Sequence, residues 1–150
     1  MSYDFLITDL KKNFSQKAIG TDKGLAKIGD AIVNLSYSVA KSIYLTKKQL
    51  NASCYRTGSK VSKKILAGAL KEANMKSFSK NRADAHDMAD TVEAILAFVW
   101  LSGKMSIQDM VNSLVDSLSG DLTNYKEEIE ISRKAFVDLL NQVKKYLPDK

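Results

Sequence analysis

The segment from Asn81 to Gly103, NRADAHDMADTVEAILAFVWLSG, restricts the possible folds most strongly. Its second half, Ala94 to Leu101, is almost wholly apolar and rich in Ala and Leu, which predicts a helix buried on most sides. The same helix carries Asp87, Asp90 and Glu93 at intervals of three, so three carboxylates project along one slowly drifting face. Like charges there repel, and Glu93 enters a segment that reads as dry. An unpaired carboxylate in such surroundings costs on the order of several kcal/mol, or its pKa rises until it holds a proton. A divalent cation satisfies such a group of acids, and that is the first functional expectation.

The rest of the chain is helical in pattern, with no strand-like alternation and no internal repeat. Phe5, Leu6, Leu10 and Phe14 predict a first helix from about Tyr3 to Gln16, interrupted by Gly20 and Thr21. With Thr21 as its N-cap, the next runs from about Asp22 to Tyr44 and carries two apolar stripes. Leu25, Ile28, Ile32, Leu35 and Val39 form one, and Ala26, Val33, Tyr37 and Ala40 the other. Two apolar faces imply a central helix, and Asp30, lying inside the second stripe, is expected to be shielded from water. Thr46 predicts the cap of a short basic helix, Lys47 to about Arg56, and Gly58 with Ser59 the start of another reaching Asn74. A basic loop, Lys76 to Asn81, then leads into the carboxylate helix, which Gly103 ends. Ser106 with Asp109 marks a capping box for a helix to Leu118, and Asn124 with Glu127 caps the last one, closed by Pro148. The fold class is therefore all-α, a bundle of about seven helices forming a single domain over residues 1–150.

Composition narrows the function classes. One cysteine, Cys54, and one histidine, His86, exclude a disulfide framework and a thiolate zinc cluster, and argue against a three-ligand zinc site and Ser-His-Asp or Cys-His catalysis. There is no glycine-rich phosphate loop or dinucleotide fingerprint. Neither a leader segment nor an apolar run of membrane-spanning length is legible, which predicts a cytoplasmic protein without a membrane partner. A net charge of +6 favours a polyanionic partner. Lys47, Lys48, Arg56, Lys60, Lys63 and Lys64 read as solubilising charge, whereas Lys76, Lys80 and Arg82, directly before the carboxylate helix, are the candidates for phosphate contact.

Two segments stand out together: GLAKIGDAIVNL, Gly24 to Leu35, and MADTVEAILAFVWLSG, Met88 to Gly103. The pair resembles the ribonuclease III endonuclease domain, whose first signature carries a GDA or GDS step and whose later helix carries AD-x-x-EA before a small apolar run and glycine. Gly29, Asp30 and Ala31 match the first signature, and Ala89, Asp90, Glu93 and Ala94 the second. With nothing after Lys150, the resemblance is closest to minimal members without a double-stranded-RNA-binding domain.

The resemblance implies a magnesium- or manganese-dependent endonuclease on double-stranded or structured RNA that works as a homodimer. It carries over Asp30, Asp90 and Glu93 as catalytic metal ligands, and lets Gly29 bring the two carboxylate-bearing helices close; Asp87, which the family pattern does not match, is a further candidate ligand. One departure stands out: the family glutamates four and seven residues before the Asp are here Ala26 and Lys23. Either Asp87 or Asp22 supplies the missing charge, or a second metal is weak or absent. The alternative from another class is a catalytically impaired dimer acting as an RNA- or protein-binding module. A third reading, an all-α nucleotide pyrophosphohydrolase, wants paired acidic motifs on two helices that this chain lacks.

Overall fold

The computed structural model describes residues 3–49 and 53–150. Among them it has seven α-helices: α1 (Thr8–Lys12), α2 (Gln16–Gly20), α3 (Lys23–Lys48), α4 (Lys63–Glu72), α5 (Ala85–Leu101), α6 (Ile107–Ser117) and α7 (Tyr125–Val143). Three short 3₁₀ turns precede α1, lead towards α5 and follow α7, and no strand occurs among the described residues. The fold is an all-helical bundle.

The carboxylate helix α5 lies at its centre. Every residue from Thr91 to Val99 is buried, which a helix reaches only when neighbours cover it on nearly all sides. Those neighbours are α3, α4 and α2, while α6 and α7 close the bundle against α3, α4 and each other. Local signals fix the helix ends. Asp84 and Asp87 form a capping box on α5, and Ser106 and Asp109 form another on α6. Asn124 accepts from the Glu127 N–H at the start of α7. Gly103 takes a left-handed φ of 74° just past α5, where a side chain would add strain.

Several expectations need correction. The first helix is a 3₁₀ turn and a five-residue α1, and Ser15, accepting from the Ala18 N–H, starts a separate α2. There Leu10 is buried as expected, together with Ile7, while Phe5, Leu6 and Phe14 are exposed. The N-cap of α3 is Asp22, which accepts from the Leu25 N–H, rather than Thr21. Of the two stripes on α3, Ala26, Val33, Tyr37 and Ala40 are buried together with Leu25 and Ile32, whereas Ile28, Leu35 and Val39 remain 37%, 53% and 39% exposed. One side of this long helix thus presents apolar residues that nothing among the described residues fully covers. Asp30 is exposed as well, because it stands at the border of the buried face.

The basic helix from Lys47 to Arg56 does not form. Its first two residues close α3, 50–52 lie outside the described residues, and 53–61 run without helical structure. That segment is tied to α3 by side chains four apart. Thr46, Ser42 and Ser38 accept the backbone N–H groups of Tyr55, Thr57 and Ser59 at 2.9, 2.9 and 2.8 Å, and Asn34 accepts that of Val61 at 2.8 Å. The Thr46 and Ser38 hydroxyls also donate to the carbonyls of Tyr55 and Ser59. Four helical residues rise about 6 Å and two extended residues about 6.6 Å, so an antiparallel chain keeps step with one face of the helix. Ser62 then caps α4.

Candidate active site

The site begins where α3 crosses α5. A Cβ at Gly29 would lie 1.8 Å from the Glu93 carbonyl oxygen and 2.7 Å from its Cα, so the helices meet backbone to backbone and only glycine fits. The crossing sets Asp30, the next residue of α3, beside Glu93. Glu93 is 4% exposed. Burial, then hydrogen bonding to Asp30 and repulsion from its charge, push the Glu93 pKa up to about 8. At neutral pH the Asp30–Glu93 pair therefore holds a proton.

One turn earlier Asp90 is held from three sides. Lys23 Nζ lies 3.3 Å from Oδ2, while Lys63 Nζ and His86 Nδ1 each lie 3.5 Å from Oδ1. Lys23 opens α3, Lys63 opens α4 and His86 is in the first turn of α5, so three helix starts converge on this carboxylate. Asp87 faces differently. It accepts from the Asp84 N–H at 3.1 Å and pairs with Lys80 at 3.4 Å, and these contacts, the backbone bond first, hold its carboxyl below the ordinary range.

Asp30, Asp90 and Glu93 line one cavity of about 400 Å³, together with Ala26, Lys23, Lys27, Lys60, Val61, Lys63 and His86. Ala26 contributes a methyl group where the resemblance implies a carboxylate. Asp87 faces a smaller neighbouring cavity that shares Lys23 and Asp90. Among the described residues, no three His, Cys, Asp or Glu side chains converge closely enough to cage a metal unaided. The Asp30–Glu93 pair nevertheless fits a hard divalent cation, which takes one or two carboxylates and completes its shell with water and phosphate oxygens.

A family model described as Ribonuclease III matches residues 23–148, from the first residue of α3 to beyond α7. The chain belongs to the ribonuclease III family. Membership supports a ribonuclease-like function, with RNA as the class of substrate. No curated protein sequence matches the chain.

Of the site residues expected from the sequence, Asp30, Asp90 and Glu93 come together at one cavity, and Asp87, which the family pattern does not match, turns to its helix cap. Lys76, Lys80 and Arg82 are exposed on the segment entering α5, with Lys80 reaching Asp87 and Arg82 in a left-handed turn of φ 57°. The sequence reading missed Lys23, Lys27, Lys60 and Lys63 as lining of the site. Two of these four carried a local signal: Lys23 and Lys63 each directly follow an N-cap, Asp22 and Ser62.

Proposed function

We propose that this chain is a divalent-metal-dependent endoribonuclease that hydrolyses phosphodiesters in double-stranded or structured RNA, acting as a homodimer in the cytoplasm. One observation carries the reading: the glycine-mediated crossing of α3 and α5 sets the Asp30 and Glu93 carboxyls against each other in a cavity that Asp90 shares. Asp30 and Glu93 would hold one Mg²⁺ or Mn²⁺, with Asp90 beside them. When bound, the metal acidifies a water for attack on phosphorus and stabilises the departing oxygen. Glu93 must give up its proton to bind it. Asp90, fixed by Lys23, Lys63 and His86, orients the water side of the cavity, and Lys76, Lys80 and Arg82 meet the RNA backbone. The uncovered side of α3, bearing Ile28, Leu35 and Val39, supplies the self-complementary apolar surface for a two-fold dimer.

The test is incubation of the pure protein with long double-stranded RNA in Mg²⁺, Mn²⁺ or EDTA. Cleavage is expected with either metal and none in EDTA. Glu93→Gln should abolish cutting with unchanged RNA affinity, because it removes a ligand charge and almost no volume. Binding without cleavage in either metal would replace the nuclease by the binding module.

A further inference from the structure

The cavity that holds the three acids is also lined by four lysines, Lys23, Lys27, Lys60 and Lys63. Four ammonium groups face three carboxyl groups, so even with all three ionised the cavity carries net positive charge and suits an anion as well as a cation. Lys23 and Lys63 grip opposite oxygens of the same carboxylate, at 3.3 and 3.5 Å, yet their side chains stay 70% and 48% exposed. Each ammonium has three donors, so pairing with Asp90 leaves both able to bind a further oxygen. Their positions add a second observation. Both are the first residues of their helices, where the positive end of the helix dipole disfavours a cation. Helix stability gives no reason for a lysine at either place. A bound anion does, because two ammonium groups and two helix starts then face it together.

We infer that Lys23 and Lys63 form a phosphate clamp across Asp90, binding the non-bridging oxygens of the RNA phosphodiester at one end of the cavity, so that the site takes a single divalent cation, at Asp30–Glu93. The clamp rests on the reading that RNA enters this cavity, and it makes the two lysines substrate-binding residues of the reaction. In this arrangement their charges do for the phosphate what a second metal ion would otherwise do.

Two measurements test it. The first is binding of a blunt-ended RNA duplex in EDTA, followed by fluorescence anisotropy across a salt series. Lys23→Gln with Lys63→Gln should weaken binding about tenfold or more and reduce the salt slope by about two, one per lost phosphate contact, and Lys23→Arg with Lys63→Arg should restore both. The second is Mn²⁺ stoichiometry by electron paramagnetic resonance without RNA. The wild type should bind one ion per protomer, and Lys23→Glu with Lys63→Glu should create a second site around Asp90. An unchanged salt slope in the glutamine pair, or two Mn²⁺ ions per wild-type protomer, would overturn the clamp. A wild type that cuts RNA while the glutamine pair binds and cuts equally well leaves the nuclease standing and removes the clamp. If instead the wild type loses duplex affinity with these lysines but never cuts, the clamp stands and the nuclease falls.

Discussion

Glu93 concentrates the chemistry at the scale of single residues. Its pKa, pushed up to about 8 by burial and by Asp30, lies well above the ordinary glutamate value of the unfolded chain. The folded state therefore keeps a proton that the unfolded state releases. Its contribution is fully present below about pH 4.5 and is lost progressively as pH rises to about 8. Glu93→Gln keeps the shape and removes the titration. In EDTA its thermal stability should match the wild type near pH 5 and exceed it near pH 8.5, by roughly 1–3 kcal/mol. Mn²⁺ should reverse the order by stabilising only the wild type, and increasingly so at higher pH, since the metal replaces the proton. Melting curves over that range would contradict the assignment if the two proteins stayed parallel. Beside it, Gly29→Ala places a methyl group inside the Glu93 backbone, so the helices must separate, with an expected loss of about 3 kcal/mol or more in denaturant unfolding. Both residues were legible in the sequence: Gly29 as the glycine of a Gly-Asp step between helical stripes, Glu93 as a charge in an apolar run. Asp30 was harder, because periodicity assigns a face but does not say where that face ends. The lysines were harder still, since lysine is ordinarily solvated and only the crossing of α3, α4 and α5 brings these to one cavity.

At the scale of elements, the long α3 illustrates what patterns convey and what they omit. Its core face and the capped starts of α6 and α7 follow from spacing and capping chemistry, which are local properties. The segment after α3 does not. Thr46 looks like a helix cap because a cap and a tertiary hydrogen bond use the same hydroxyl, and only the fold decides which backbone it meets. Asn34, Ser38, Ser42 and Thr46, at intervals of four along α3, hold residues 55–61 against the helix. That attachment places Lys60 and Val61 at the cavity wall and leads directly into Lys63. Ser42→Val should therefore release the segment while leaving the helices intact. Hydrogen exchange of the Thr57 and Tyr55 amides should become markedly faster, with a global loss of only about 1 kcal/mol. Amide protection unchanged from the wild type would show that the hydroxyls are incidental.

For the whole molecule, the open question is what covers the bare side of α3. Leu35 and Val39 are half to two-fifths exposed, and Val39 also lines an 820 Å³ groove with Ile43 and Tyr55, so the apolar surface extends beyond the helix onto the attached segment. Scattered exposed apolar residues are ordinary, but a row along one helix continuing into a groove is what association sites present. A second copy suits it, because a two-fold axis beside α3 sets the same apolar row against itself. Such a dimer should bury on the order of 1,200–2,000 Å² in total. It would also bring together two chains of net charge +6, doubling the field that draws a polyanion towards the paired cavities. Leu35→Glu with Val39→Glu sets like charges across that axis and should give a monomer of unchanged helicity by light scattering and circular dichroism. Mn²⁺ affinity should stay at the wild-type value, since the cavity lies within one chain, while cutting of both duplex strands should fall at least tenfold. A wild type that is strictly monomeric at micromolar concentration, or a double-glutamate variant that remains a dimer, would place the interface elsewhere or remove it.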